Sequence, residues 1–361
     1  MSIYFDYNAT APLKDEVRAA MVDALGPPAN ASSVHGFGQA ARHKIETARR
    51  DVAALCSAKP EEVIFTSGGT EANAMALMRG APQIITSTIE HAAVLDNSPE
   101  ALRVAVDPHG VVDLDALEQA ARNAPEGSLI SIMAANNETG VIQPLAEIIT
   151  IARAFGHLVH SDAVQALGKI DLDFAGLGLD LMSISGHKIG AATGIGALIQ
   201  REGLASFPRM SGGGQEKNRR PGTENLSGII GFGAAARVSG VSHFTLEELR
   251  QHHDALESRL LAEAPDAVVL GQGASRLPNT TAIAMPGRLA ETQIMSFDLA
   301  GIALSAGAAC SSGKVGASHV LTAMGAGDLA ANTIRISSGW ATTADDFDRL
   351  AETWLNLYKQ A

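Results

Sequence analysis

Short apolar runs alternate with longer helical patterns over the first two thirds of the chain, and this alternation most constrains the fold. Fully apolar strands are typical of parallel sheets buried on both faces, whose neighbours are joined by helical crossovers. We therefore predict an α/β fold with a mostly parallel central sheet and helices on both faces. Strands are predicted at 62–65, 83–87, 129–134, 157–161, 181–185 and 196–199, and helices at 13–25, 40–56, 70–78, 113–123 and 145–155.

The pattern restarts near residues 242–246, where a long helix at 247–263 precedes short strands and helices. A chain of 361 residues is long enough for about two domains. We predict a large domain at 12–243 and a smaller α/β domain made of 1–11 and 244–361. The segment 26–38, rich in glycine, proline and small polar residues, is predicted as a loop.

Charge and composition exclude several classes of protein. The formal net charge of -12 disfavours nucleic acids and anionic membrane surfaces as partners, since both require clustered lysine and arginine. No apolar run is long enough to span a membrane, and the N-terminus lacks the pattern of a secretory leader. The only two cysteines, Cys56 and Cys310, cannot make a disulfide framework or a zinc site, so a cytoplasmic location is expected and no intrinsic metal site is predicted.

The strand predicted at 181–185 ends in Ser185, Gly186, His187 and Lys188. A lysine just past a buried strand can lose its charge at low cost and act as an amine nucleophile. The alternative is a surface lysine on a turn, and this stretch alone does not choose between them.

Polar residues follow the other predicted strands, at the sheet edge where α/β proteins bind ligands. Residues 66–70, TSGGT, open a helix and suit a phosphate, or form a tight turn with Thr70 as a helix cap. His91 follows the next strand, and Asn137 lies in a polar turn; both also fit structural roles. Asp162 would be costly at a buried strand end unless it met a cation, although it could cap a helix. With Lys188, it supplies the amine and carboxylate that a pyridoxal phosphate site needs.

Six motifs occur in order along the chain: FTSGGTEAN, NNETG, SDAVQ, SGHK, RRPGTEN and GAACSSGKVGASHVL. Together they resemble the cysteine desulfurases of the nitrogenase and iron–sulfur-cluster type, within the class-V, fold-type I pyridoxal phosphate enzymes. The likeness extends from YFDYNAT near the start to IRISSGWATT near the end.

The resemblance implies a role for each matching residue. Lys188 would be the Schiff-base lysine, Asp162 would pair with the pyridinium nitrogen, and Arg335 would hold the substrate carboxylate. His91 would stack on the cofactor ring and move protons. The remaining cofactor contacts would be Gly69, Thr70, Ser185 and His187 at the phosphate, Gln165 at the 3-oxygen, Asn137 at the cofactor or substrate, and Thr223 at the phosphate of the partner subunit in a homodimer.

Cys310 lies in a run of small residues, SAGAACSSGKVGAS, and the resemblance makes it the residue that takes sulfur from L-cysteine as a persulfide, leaving alanine. The sulfur would pass to an acceptor or scaffold protein, for iron–sulfur clusters or other products, and Cys310 would meet a cluster only through its persulfide. Ser318 is predicted to cap the following helix, and Cys56 to be inert packing on a helix face.

Two alternatives remain open from the residues. The chain could be a class-V relative that acts on selenocysteine or transfers an amino group. It could instead be a non-catalytic sulfur-relay partner, although intact Lys188, Asp162 and Cys310 argue against that reading.

Overall fold

The computed structural model describes residues 3–26, 28–205, 210–240, 242–307 and 318–360. In chain order the strands are β1 (Ile3–Tyr4), β2 (Val63–Thr66), β3 (Ile84–Ser87), β4 (Leu102–Val104), β5 (Leu129–Ser131), β6 (Leu158–Asp162), β7 (Leu181–Ser185), β8 (Gly196–Gln200), β9 (Val268–Leu270), β10 (Thr280–Ala284), β11 (Ile302–Ala303), β12 (Ser305–Ala306) and β13 (Thr333–Ser337).

Helices connect most of these strands. They are α1 (Asp15–Ala24), α2 (Gly36–Leu55), α3 (Gly69–Leu77), α4 (Ala92–Leu95), α5 (Leu114–Asn123), α6 (Leu145–Ala154), α7 (Phe174–Leu177), α8 (Gln215–Asn218), α9 (Leu226–Arg237), α10 (Leu246–Glu263), α11 (Ala290–Leu299), α12 (His319–Ala323), α13 (Leu329–Asn332) and α14 (Ala344–Tyr358), with 3-10 helices at Pro60–Glu62 and Gly186–Lys188. Among the described residues, none of these helices has the length and apolar character needed to cross a bilayer.

The large sheet has seven strands in the order β2-β8-β7-β6-β5-β3-β4. Only β8 runs against the others, pairing antiparallel with both β2 and β7. Successive side chains of a strand point to opposite faces, and here they enter two separate cores. Leu181 packs with Ile64, Leu129 and Leu198 on one face, whereas Met182 belongs to the core on the other. The predicted α/β fold, with a mostly parallel sheet between helical layers, is therefore confirmed.

The C-terminal part forms a second, antiparallel sheet in the order β12-β13-β10-β9. Its core is lined by α10 and α14 and includes Ile3 and Phe5 from the start of the chain. The N-terminal strand β1 also pairs in parallel with β11. This packing supports the proposed grouping of residues 1–11 with 244–361.

Helix α2 begins at Gly36, so the end of the predicted loop 26–38 is wrong. The His35 side chain accepts a hydrogen bond from the Gly38 backbone N–H and caps the helix. A Cβ on Gly38 would lie 2.2 Å from the Ser33 carbonyl oxygen. The glycine that resembled a loop signal is required by close packing against the preceding turn.

Candidate active site

A cavity of about 490 Å³ lies beyond the carboxyl ends of the parallel strands. The residues just after β2, β3, β5, β6 and β7 converge there because those five strands run in one direction. It is lined by Asp6, Asn8, Ala9, Gly69, Thr70, Asn73, His91, Ala93, Met133, Ala135, Asn137, Asp162, Val164, Gln165, Ser185, His187, Lys188, Ser305 and Arg335. Every cofactor or substrate residue expected from the sequence is thus in one cavity, except Thr223.

Lys188 reaches this cavity from the 3-10 turn that follows β7. Its Nζ donates to the main-chain oxygens of Asn8 and Ala9, the second at 2.9 Å. Both acceptors are neutral carbonyls, which orient the amine without adding the negative charge that would stabilise its protonated form.

Asp162 is the last residue of β6 and is 6% exposed. Its Oδ2 accepts from Asn73 Nδ2 at 2.6 Å, and its Oδ1 accepts from the Val164 backbone N–H at 3.0 Å. Within the described part of the chain, its hydrogen-bond partners are thus amides and not a cation. A buried carboxylate gains most from a positive partner, which a protonated pyridine nitrogen supplies.

The turn after β2 leads into α3, with Gly68 at the N-cap position and Gly69 as the first helical residue. The alternative role of Thr70 as the helix cap is therefore excluded, because the helix starts one residue before it. The first amide N–H groups of a helix point outward and favour an anion. At Gly69 a Cβ would lie 2.7 Å from Val164 Cγ2, so a larger residue would close this end of the cavity.

His187 also lines the cavity, with Nδ1 at 3.1 Å from Thr10 Oγ1. Burial, and secondarily the nearby Lys188, lower the pKa of His187 to about 4. The imidazole is therefore neutral at pH 7 and acts as a hydrogen-bonding group rather than as a cation.

Arg335, on β13, is 4% exposed. Its Nη2 pairs with Asp6 Oδ1 at 2.7 Å and its Nη1 donates to the Asn137 carbonyl at 3.1 Å. Its Nε is buried without a hydrogen-bond partner in the described residues. A guanidinium with a donor still to satisfy, at the wall of the cavity, fits a carboxylate ligand.

His91 precedes α4, and its Nδ1 accepts a hydrogen bond from the Ala93 backbone N–H at 3.0 Å. This bond places the hydrogen of the neutral ring on Nε2. The structural role considered from the sequence is thus present, and it coexists with a ring that lines the cavity. Protonation of Nδ1 would require the cap bond to break.

Glu90, next to His91, is fully buried. Its Oε1 accepts from Ser87 Oγ at 2.6 Å and from the Met133 backbone N–H at 3.0 Å. Burial raises the pKa of Glu90 to about 8, and Asp162 contributes to the increase. Glu90 is therefore mostly uncharged at pH 7.

One predicted cofactor residue lines a different cavity. Thr223 lines a neighbouring cavity of about 210 Å³ together with Thr66 and Ser67. Cys310 lies outside the described residues. The cap predicted for Ser318 is confirmed, since its side chain accepts from the Leu321 backbone N–H. Ser318 Oγ also donates to buried Glu138, whose pKa is raised above its usual value by burial.

The prediction that Cys56 is buried packing is confirmed. The residue is 0% exposed in the core, and burial raises the pKa of its thiol to about 12. At neutral pH it carries almost no thiolate, which is the reactive form.

Sequence reasoning missed four polar residues that line this cavity, Asp6, Asn8, Asn73 and Ser305, and also Lys169, which contacts the lining residues Asn8 and Gln165. The first two lie in YFDYNAT, which contributed to the resemblance without being given individual roles. Asn8 is 1% exposed, and its carbonyl accepts from both Lys188 and Gln165. A polar pair beside the aromatic residues of this segment was the available signal.

The donor set fits pyridoxal phosphate. Lys188 offers an amine, Asp162 a carboxylate without a cationic partner in the described residues, and α3 an anion-binding N-terminus. Gln165 also lines the cavity, and its Nε2 donates to the main-chain oxygen of Asn8, another lining residue. These are the groups that hold such a cofactor and tune its electronics.

The chain is similar over nearly its full length to known proteins. The aminotransferase class-V family matches residues 3–350. A cysteine desulfurase of Cereibacter sphaeroides is 40% identical over 368 residues, covering 97% of this chain and 94% of that protein. The cysteine desulfurase IscS of Dictyoglomus turgidum is 40% identical over 363 residues, covering 96% and 92%. The crystal structure of a NifS-like protein from Rickettsia africae has a TM-score of 0.92 at 35% identity, covering 99% of this chain and 100% of that one.

Proposed function

Since the chain belongs to the aminotransferase class-V family and is a pyridoxal phosphate-dependent cysteine desulfurase, we propose that Lys188, Asp162 and Arg335 organise its reaction with L-cysteine. The observation that carries this proposal is their convergence on one cavity from two strands, β6 and β13, and from the turn that follows β7. The three side chains around this space match three groups that a pyridoxal phosphate enzyme must bind. The amine suits the carbonyl carbon of the cofactor, the carboxylate its ring nitrogen, and the guanidinium the substrate carboxylate.

The residues divide the binding of the cofactor among them. Lys188 would hold it covalently, and Asp162 would keep its ring nitrogen protonated. Gly69, Thr70, Ser185 and His187 would bind the phosphate, Gln165 the 3-oxygen, and His91 and Asn137 the ring and its surroundings. When bound, pyridoxal phosphate supplies an electron sink for the bonds that change at the substrate.

The protein's own groups then bind the substrate and move its protons. Arg335 orients L-cysteine through its carboxylate, with the guanidinium held by Asp6. The amine of Lys188 would accept the proton from the substrate Cα. His91 would donate a proton through Nε2, because its Nδ1 already accepts a hydrogen bond from the Ala93 backbone N–H.

Cys310 carries the sulfur in this proposal. Its thiolate attacks the substrate Sγ, so that an S–S bond forms while the Cβ–S bond breaks. The electron pair of the broken bond stays with carbon, which takes up a proton. One cysteine and one thiol thus give alanine and a persulfide on Cys310, with no external oxidant. The outer sulfur of the persulfide is then transferred to an acceptor protein.

The test of this function is product analysis with L-cysteine and L-selenocysteine as parallel substrates of the purified holoenzyme. We expect equal amounts of alanine and transferable sulfur from L-cysteine in the presence of a thiol acceptor. A protein that releases alanine only from selenocysteine, or that transfers the amino group to a keto acid instead, would contradict the proposal.

A homodimer with composite sites is a further expectation. Within one chain, Thr223 and Lys188 line different cavities. This separation is consistent with a contact between Thr223 and the cofactor phosphate of the partner subunit. Thr223→Ala should weaken cofactor retention about 10-fold through the loss of one hydrogen bond to a charged group. Sedimentation velocity measures the assembly state, and a fully active monomer at assay concentration would rule the composite site out.

A further inference from the structure

Lys169 is a buried lysine in the turn that follows β6, only 8% exposed. Lysine usually keeps its ammonium group in water, so a buried one needs specific partners. Here Nζ donates to Asn8 Oδ1 at 2.7 Å and to Gln165 Oε1 at 2.9 Å. Both acceptors are side-chain amide oxygens of residues that line the cavity.

These two contacts connect Lys169 to the groups around the cofactor site. Gln165 Nε2 donates to the main-chain oxygen of Asn8 at 2.9 Å, and the same oxygen accepts from Lys188 Nζ. Lys169 therefore sets which way the Gln165 carboxamide faces, since its Oε1 is drawn to the amine. It also holds the residue whose backbone orients Lys188.

The electrostatic environment agrees with this arrangement. Burial, followed by the positive charges of Lys188 and Arg335, moves the pKa of Lys169 well below its usual value. The partners of its Nζ are neutral amide oxygens. This shift favours the neutral form of the amine, which donates hydrogen bonds without adding a cation beside Lys188 and Arg335.

We propose that Lys169 is a positioning residue, an inference that rests on the proposed function. Through its contacts with Asn8 and Gln165, Lys169 holds the Gln165 carboxamide and the Lys188 amine in the geometry that the cofactor requires. Lys169 does not line the cavity itself, and its effect is transmitted by the two amide side chains.

A double-mutant cycle tests this coupling. Lys169→Met and Gln165→Leu should each weaken cofactor binding by the holoenzyme about 10-fold, because each leaves buried polar atoms unpaired. The part of the Lys169 effect that passes through Gln165 should be absent once Gln165 is leucine, so the double variant should lose less than the product of the two single losses. The readouts are the cofactor dissociation constant from equilibrium dialysis and kcat/KM for L-cysteine. Losses that multiply, or a Lys169→Met protein within about twofold of wild type, would overturn the proposal.

Lys14→Met is the matched control. Lys14 is also buried, at 7% exposed, but its Nζ donates to the Val238 carbonyl and lies over the Trp340 ring. We expect its replacement to leave the cofactor dissociation constant within about twofold of wild type, because neither Val238 nor Trp340 lines the cofactor cavity. Equal weakening by Lys14→Met would assign the effect to a general disturbance of packing and overturn the positioning role.

Lys169→Gln provides a second variant if Lys169→Met does not fold, as judged by circular dichroism. It retains an uncharged N–H donor and should recover part of the cofactor affinity; no recovery in a folded protein counts against the proposal. Because cofactor affinity is measured without cysteine, the two proposals fail separately. Absence of alanine formation refutes the desulfurase function, whereas multiplicative losses of affinity refute only the role of Lys169.

Discussion

Lys188→Ala is expected to reduce alanine formation on the order of 10⁴-fold or more while the fold is retained. The change removes both the amine that would hold the cofactor covalently and the base that would take the Cα proton. The structural cost should be small, about 1–2 kcal/mol in the free energy of unfolding, since the amine donates to two backbone carbonyls. The measurement is alanine formation from L-cysteine, together with circular dichroism and thermal unfolding.

The control for Lys188→Ala is Lys14→Met, which removes another buried amine from the same region of the fold. That variant should keep most of its turnover. Near wild-type alanine formation by Lys188→Ala would show that another residue holds the cofactor, and would remove the basis of the proposed mechanism.

Cys310→Ser is expected to separate substrate binding from sulfur transfer. Binding depends on Lys188, Asp162 and Arg335, so the variant should still bind L-cysteine and change the visible absorption of the cofactor. A serine hydroxyl is a far poorer nucleophile toward sulfur than a thiolate, so persulfide formation should fall below detection. The measurement is mass spectrometry of the intact protein after a pulse of L-cysteine without reductant, which detects the mass of one added sulfur.

Cys56→Ala is the matched control for this experiment, because Cys56 is the buried cysteine with a thiol pKa of about 12. It should gain one sulfur as the wild type does. Added sulfur on the Cys310→Ser protein, or on the wild-type peptide that carries Cys56, would contradict the assignment of Cys310 as sulfur carrier.

Much of the large sheet follows from local sequence patterns. The strand predicted at 181–185 is β7 (Leu181–Ser185) with the same bounds, because a strand buried on both faces must be apolar throughout. Strand β4 (Leu102–Val104) was not predicted. Leu102 and Arg103 are exposed at the edge of the sheet, so the segment lacks a continuous apolar pattern.

The direction of β8 was decided by tertiary structure. Its apolar run resembles the runs of the other strands in the sheet, which are parallel to one another. Strand β8 nevertheless pairs antiparallel with β2 and β7. Periodicity records which side chains are buried but not which way a strand runs. The start of α2 shows the same limit, since Gly38 is present because the chain passes close to Ser33, not because the segment is a loop.

By itself, the sequence determined the fold class and most of the candidate site, because each strand end carries its own polar residue and parallel strands bring those ends to one edge. The tertiary structure decided what holds these residues. Asp6 meets Arg335 across 329 positions, and Asn8 meets Lys169 across 161. No local pattern encodes such pairs, since they depend on how the N-terminal segment packs between the two sheets. The same packing buries Lys169 and half-buries His187, and hence both have lowered pKa values.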